Sequence, residues 1–274
     1  MRLRKRALFG KFFADRGPHL AAMIAYFALL SFVPLTFLAL ALLGLAGRAD
    51  ESSFLVTELK RAFPGTSVGD IVRLVRKVQH NAATLGIVGG AFLFWSALSL
   101  FSVLESALNI VYARPNRSFL IGKAIAFALM VGSLIRLFVA LLIGSLGVDV
   151  LDRYAPGLLG RTWIAYVLSV LVSTLGVFAF LVSVYYLLTN EKLTLHDVLP
   201  GAVFATVGLE ASFQVLPIYL RFANLNPTLS VFSGPAILLV WLYLMANGIV
   251  FGAELNWWTT RRRRTAEEEG AGLA

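Results

Sequence analysis

The sequence predicts an all-α, polytopic membrane protein, a bundle of six transmembrane helices with an extracytoplasmic helical hairpin between the first and second. Three observations predict it. The 274 residues are 58% hydrophobic and only 14% charged, with a mean hydropathy of +0.80, whereas a soluble domain carries about 25% charged residues and under half apolar ones. Six stretches reach the roughly 20 mostly apolar residues that a bilayer-spanning helix needs: 20–46, 84–112, 120–148, 162–189, 197–220 and 230–257. Nearly all remaining charge lies between or beyond them.

The first stretch follows a basic flank of Arg2, Arg4, Lys5, Arg6 and Lys11. Its 27 residues exceed the apolar core of a signal peptide, so it reads as a retained helix. In the 47–83 loop, Val68, Ile71, Leu74, Val75 and Val78 recur at helical spacing, with Arg73, Arg76, Lys77 and His80 on other faces. A second short amphipathic stretch, 52–63, ends at Pro64-Gly65. Together they predict a hairpin lying on the outer membrane surface or capping the bundle. The four further stretches follow at even spacing, and a basic tail, 258–274, carries Arg261, Arg262, Arg263 and Arg264. No Pro/Gly/Ser-rich linker divides the chain, so residues 1–274 are expected to form one membrane domain.

Orientation follows from the basic bias. With a cytoplasmic N-terminus, the inside segments and their edges hold 14 Lys/Arg and the outside segments nine, six of the nine in the long 47–83 loop, where charge influences topology less. Both termini are expected in the cytoplasm of a bacterial inner membrane. Trp163, Trp257 and Trp258 sit at predicted interfaces, as an aromatic belt requires, while Trp95 lies inside a span.

Composition excludes several chemistries. Cysteine is absent, which removes disulfides, thiol nucleophiles and Cys metal sites. The net charge of +9 comes from clusters that abut apolar spans without interleaved aromatics, which reads as topology signal and attraction to anionic headgroups rather than nucleic-acid binding. His19, His80 and His196 are scattered, and no P-loop, GxSxG or HExxH motif occurs. No catalytic residue, metal or cofactor is expected.

Ala21–Leu38, Leu85–Tyr112 and Pro200–Trp257 carry a resemblance. Within them stand Ala25-Tyr26 through Ser31 and Pro34, Glu105 with Asn109, Pro200-Gly201, and the runs Trp241-Leu242-Tyr243 and Gly252-Ala253-Glu254-Leu255. These resemble the YihY / virulence factor BrkB family of bacterial inner-membrane proteins, once labelled ribonuclease BN, over nearly the whole chain. One departure lies at Val231–Pro235, where VFSGP replaces the Tyr-Gly-like start of the family's last helix. The resemblance implies six helices and a role in envelope integrity, lipid export or solute efflux. A ribonuclease is rejected, because metal-assisted phosphodiester hydrolysis needs clustered His and carboxylates, which this chain lacks.

Polar residues within spans are costly and usually face the bundle or a wet cavity. Ser99, Ser102, Glu105 (or Ser106) and Asn109 share one face of the second span, Thr206, Glu210 and Gln214 one of the fifth, and Asn247 and Glu254 one of the sixth. Arg136 lies midway along the third. These residues form the candidate intramembrane polar site, against the plainer reading that they are interhelical hydrogen bonds. By depth along the helices, about 24 Å for Arg136 and about 20 Å for Glu210, those two are expected to pair, with Glu105 the second choice. Gly132, Arg136, Ala140 and Gly144 recur every four residues, predicting that the arginine faces a neighbouring helix. Gly86/Gly90 and Gly248/Gly252 read as close helix contacts. Pro34, Pro217 and Pro235 are candidate helix breaks, a feature that frames substrate sites in many transporters.

The leading function is therefore a transporter or exporter of a lipid or small solute through an intramembrane polar cavity. With no nucleotide-binding motif, energy would come from a gradient or a partner. A non-transporting envelope scaffold or lipid-organising protein is the alternative, and an embedded enzyme using Glu105, Glu210 and Glu254 is third. Anionic membrane lipids are the expected partners, nucleic acid is not, and a homo-oligomer stays open.

Overall fold

The computed structural model of the chain describes residues 8–45, 82–133, 135–136, 162–222 and 230–271. Seven helices and no strand occur among them. They are α1 (Leu8–Ala14), α2 (Gly17–Leu45), α3 (Ala82–Val111), α4 (Phe119–Ser133, with 135–136 also helical), α5 (Thr162–Leu188), α6 (Leu195–Phe222) and α7 (Ser230–Ala271). Helix occupies all six predicted stretches, the third of them as far as residue 136. The outer hairpin expected at 47–83 lies outside the described residues, apart from the first turn of α3.

By length and composition, Phe94–Val111 and Ala236–Glu269 can cross a membrane, and Gly17–Ser31, Phe119–Ser133 and Ser173–Leu188 are shorter apolar helices. Large apolar side chains on these helices are exposed, among them Phe119, Leu120, Leu175 and Leu244. A water-soluble monomer does not present apolar surface on this scale.

The turns obey local rules. α3 ends in a Schellman motif: the Arg114 N–H donates to Asn109 O at 2.8 Å and the Ala113 N–H to Ile110 O at 3.0 Å, with Ala113 at a φ of 52°. Arg16, at φ 58°, is also left-handed, its N–H donating to Phe13 O at 3.1 Å, before Gly17 starts α2. α5 ends where Arg117 donates to the terminal carbonyls of Leu188 at 2.6 Å and Thr189 at 2.9 Å. α6 begins in a capping box in which Asp197 Oδ2 accepts from both the N–H and the hydroxyl of Thr194, each at 2.8 Å.

The described chain forms two compact units, one of residues 1–18, 104–210 and 248–274 and the other of 19–103 and 211–247. The boundaries fall inside α2, α3, α6 and α7, not in linkers. The first unit has a core of helical stripes: Leu104, Ala107, Leu108 and Val111 on α3, Leu181, Val184, Tyr185 and Leu188 on α5, and Val198, Ala202, Ala205 and Leu209 on α6. α6 and α7 touch backbone to backbone at Gly201 and Gly252: a Cβ on Gly201 would collide with the Gly252 carbonyl, and one on Gly252 with the Tyr185 hydroxyl. Gly248 meets only ordinary packing against Leu209. In the second unit, Leu20, Ala21, Ile24 and Ala25 of α2, Phe101 of α3, and Leu238 and Ala246 of α7 are buried.

At two places the described helices differ from the expectations. The prolines do not break their helices: α2 runs through Pro34, α6 through Pro217 and α7 through Pro235, the last only in its second turn. The tail does not leave the helix at residue 257. α7 continues to Ala271, because the RRRRTAEEE run is rich in helix formers and places Glu267 one turn beyond Arg263, at 3.6 Å. Ahead of the first span stands α1, whose Phe12 is buried.

Candidate functional site

Three buried carboxylates of the first unit, on three different helices, each meet a cation. The most enclosed is Glu254 of α7, with no exposed surface. Its Oε2 accepts from Lys11 Nζ of α1 at 2.7 Å. The same ammonium donates to Asp15 Oδ2 at 2.5 Å and to the Val111 carbonyl at 2.8 Å, which uses all three of its protons. It also lies 4.2 Å from the centroid of the Trp257 ring. Lys11 is thus the centre of a joint between α1, the end of α3 and α7.

Glu105 of α3 is the second. Its Oε1 stands 3.6 Å from the Arg117 guanidinium and accepts from the Arg117 backbone N–H at 3.4 Å. Gly122 of α4 makes room for it, since a Cβ there would crowd the other carboxylate oxygen. Arg117 therefore neutralises Glu105 while capping α5. One turn on, buried Asn109 donates to Asn116 Oδ1 at 3.1 Å and accepts from the Asn190 N–H at 2.7 Å, which ties together the turns that follow α3 and α5.

Asp197 of α6 is the third. Besides Thr194, it accepts from the Thr260 hydroxyl at 3.2 Å and pairs with Arg263. Beside it, Glu191 in the turn before α6 receives Arg114 and, at 3.3 Å, Arg264. Burial pushes the Glu191 carboxyl up, but hydrogen bonds from the two arginines and their charges outweigh this and hold it below its ordinary value. The hydrogen bond to Glu191, then that carboxylate's charge, raises Arg114 above its ordinary value.

Not every polar atom here is satisfied. Glu254 Oε1, Tyr112 Oη, Thr189 Oγ1 and Asn256 Nδ2 are buried and unpartnered. Asn256 spends its Oδ1 on the Gly201 N–H at 2.6 Å, and the Tyr185 hydroxyl donates to the Ile249 carbonyl at 2.8 Å. Buried orphans of this kind are uncommon and costly, and each calls for an explanation.

Of the seven sequence candidates, Glu105, Asn109 and Glu254 belong to this ion-paired network. The others do not join it. Glu210 accepts from the Ser173 hydroxyl at 3.3 Å, and Asn247 donates to Tyr243 O of its own helix at 2.8 Å. The side chain of Gln214 lies outside the described residues. Arg136 is exposed, and no ion pair joins it to Glu210 or Glu105. One turn before it, a Cβ built at Gly132 would meet nothing within 4 Å. Ser99 and Thr206 each donate 2.7 Å to a carbonyl one turn back, not to another helix.

Sequence reasoning missed Lys11, Arg117, Asp197, Asn256 and Arg263. Asp197 was legible as the fourth residue of a capping box opened by Thr194. Lys11 was hidden by its neighbours, since a lysine in a basic flank reads as a topology signal.

The family model described as "Virulence factor BrkB" matches residues 8–274. A ribonuclease-like protein of Bacillus subtilis, YfkH, is 27% identical over 275 residues, covering 96% of this chain and 97% of that one. A UPF0761 membrane protein of Azotobacter vinelandii is 29% identical over 262 residues, covering 91% of this chain and 61% of that one. Another, Nmul_A0452 of Nitrosospira multiformis, is 26% identical over 93% of this chain and 61% of its own length. The chain thus spans about six-tenths of these two UPF0761 proteins. No solved structure matches it.

Proposed function

The chain belongs to the virulence factor BrkB family of membrane proteins, and on that premise we propose that it crosses a bacterial inner membrane six times, both termini cytoplasmic, and moves a lipid or small solute. The observation that carries this reading is Glu254. It is fully enclosed yet only one of its oxygens is spent on Lys11, while the other stands unpartnered, as do the buried Tyr112 Oη and Thr189 Oγ1. A purely structural ion pair gains stability by satisfying every such atom. A site that takes a polar group, or passes a proton, needs acceptors and donors held in reserve. In this topology Glu254 lies near the cytoplasmic end of the last span, and Lys11, delivered by α1, is its counter-ion. The sequence holds no nucleotide-binding motif, so a proton gradient or a partner protein drives the movement.

The test is flux. Purified protein in liposomes is given a pH gradient and a panel of labelled phospholipids and small solutes. Wild type moves at least one of them, and Glu254→Gln abolishes the dependence on the gradient. A Glu254→Gln protein that folds and transports unchanged refutes the role given to Glu254.

A second reading, an envelope scaffold or lipid-organising protein, is favoured by the pairing itself. Lys11–Glu254, Arg117–Glu105 and Arg263–Asp197 bind the ends of five helices together. On that reading no member of the panel moves, while loss of either charge of a pair still weakens the fold.

A further inference from the structure

The four-arginine run of α7 does not act as one block. Arg263 and Arg264 turn toward the protein, Arg263 to Asp197 and Glu267, Arg264 to Glu191 and, at 3.0 Å, to the Lys192 carbonyl. Arg261 and Arg262 turn elsewhere. Both are exposed and neither has a carboxylate partner among the described residues. Each lies instead over the tryptophan one turn before it, Arg261 Cζ 4.9 Å from the Trp257 centroid and Arg262 Cζ 3.7 Å from that of Trp258. The spacing explains the split. One turn past Arg261 and Arg262 come Thr265 and Ala266, whereas one turn past Arg263 comes Glu267.

A guanidinium stacked on an aromatic ring has used its face and kept its edge. The N–H groups in its plane still donate in the paired geometry that suits a phosphate. The face of α7 that carries Arg262 also carries Trp258 one turn before and Phe251 two turns before that. Around Phe251 gather the rings of Phe9 at 5.2 Å, Phe12 at 5.6 Å and Phe204 at 5.1 Å. Phe9 is 65% exposed and Phe204 42%. One helical face therefore runs from an open aromatic shelf to the Arg262 guanidinium over about 16 Å, close to half the roughly 30 Å hydrocarbon core of a bilayer, with Arg261 next to it in sequence.

We infer that this stripe is a binding site for one anionic glycerophospholipid of the cytoplasmic leaflet. Its phosphate sits on the free edges of Arg261 and Arg262, its glycerol region beside Trp258, and one acyl chain over Phe251, Phe9 and Phe204. A zwitterionic lipid offers the same phosphate but brings a cation that two unpaired arginines repel, so the site selects negative headgroups. It serves a transporter and a scaffold alike.

The full chain, purified in detergent, is melted with dioleoyl-phosphatidylglycerol, with dioleoyl-phosphatidylcholine, or with inorganic phosphate at equal concentration. Phosphatidylglycerol raises Tm, phosphatidylcholine raises it far less, and phosphate does not raise it. Arg261→Gln/Arg262→Gln loses most of the phosphatidylglycerol shift while melting normally without lipid. Arg263→Gln/Arg264→Gln melts lower without lipid but keeps the shift. Arg262→Lys, which preserves charge and fold but not the planar fork, binds more weakly than wild type. An undiminished shift in both Arg262 variants, or an equal shift with phosphate alone, overturns the site.

Discussion

The two halves of α7 use their polar residues differently. Up to Asn247, the described polar contacts are local or single: Asn247 bonds its own helix, and the Trp241 indole N–H donates to the Ser212 carbonyl at 3.3 Å. From Gly248 onward, Glu254, Asn256, Thr260, Arg263 and Arg264 each reach a group more than 50 residues away in sequence. The difference teaches where this protein spends its polar chemistry. It is concentrated where α1, α6, α7 and the turns after α3 and α5 meet, and there it welds sequence-distant segments by charge.

The largest effect that separates the two halves is expected at Lys11. Lys11→Met leaves Glu254 enclosed without its cation, and removal of one partner of a buried pair costs about 3–5 kcal/mol. The double variant Lys11→Met/Glu254→Gln recovers much of that loss. Thermal unfolding in detergent reads the cycle, and additive losses would show that the pair is not coupled. Next comes Gly252→Ala, where the new Cβ meets the Tyr185 hydroxyl and the Gly201 carbonyl. Overpacking of this kind costs about 1–3 kcal/mol. Gly248→Ala, with only the Leu209 methyl 3.8 Å away, is the tolerated control, and equal losses at the two glycines would erase the distinction.

A smaller effect is expected from Glu191. Its folded-state pKa lies below the ordinary 4.5, so its contribution is fully present above that value and is lost as pH falls through the depressed one. Glu191→Gln flattens the acid limb of a Tm-versus-pH curve by at most about 1 kcal/mol, since its Arg114 partner is half exposed. An acid limb unchanged by the substitution would contradict the pairing. The smallest effect belongs to the other half of α7: Asn247→Ala removes one bond to its own helix, worth about 1 kcal/mol or less. A loss as large as that of Lys11→Met would break the contrast between the halves.

The helices were legible because apolar length is a property of one segment. The ranges 162–189 and 197–220 match α5 and α6 to within two residues. The partners were not legible, because a partner is a property of two segments and their rotation about their own axes. Arg136 and Glu210 agree in depth, and depth says nothing of azimuth. Glu105 and Asn109 were legible because they share one polar face of their span with Ser99 and Ser102. Lys11 was read as a flank because nothing local announces that a seven-residue helix will fold its lysine inward.

A transport site at the polar end of the first unit must be reached by water. The chain has no cysteine, so Thr189→Cys and Tyr112→Cys each provide a single thiol at a buried, unpartnered polar position. Leu181→Cys places one in the apolar core, where the native side chain has no exposed surface. In inside-out membrane vesicles, a membrane-impermeant maleimide is expected to label the thiols at 189 and 112 and to spare the one at 181. Thiols at 189 and 112 as inert as that at 181, in protein that unfolds as wild type does, would contradict a transport site there.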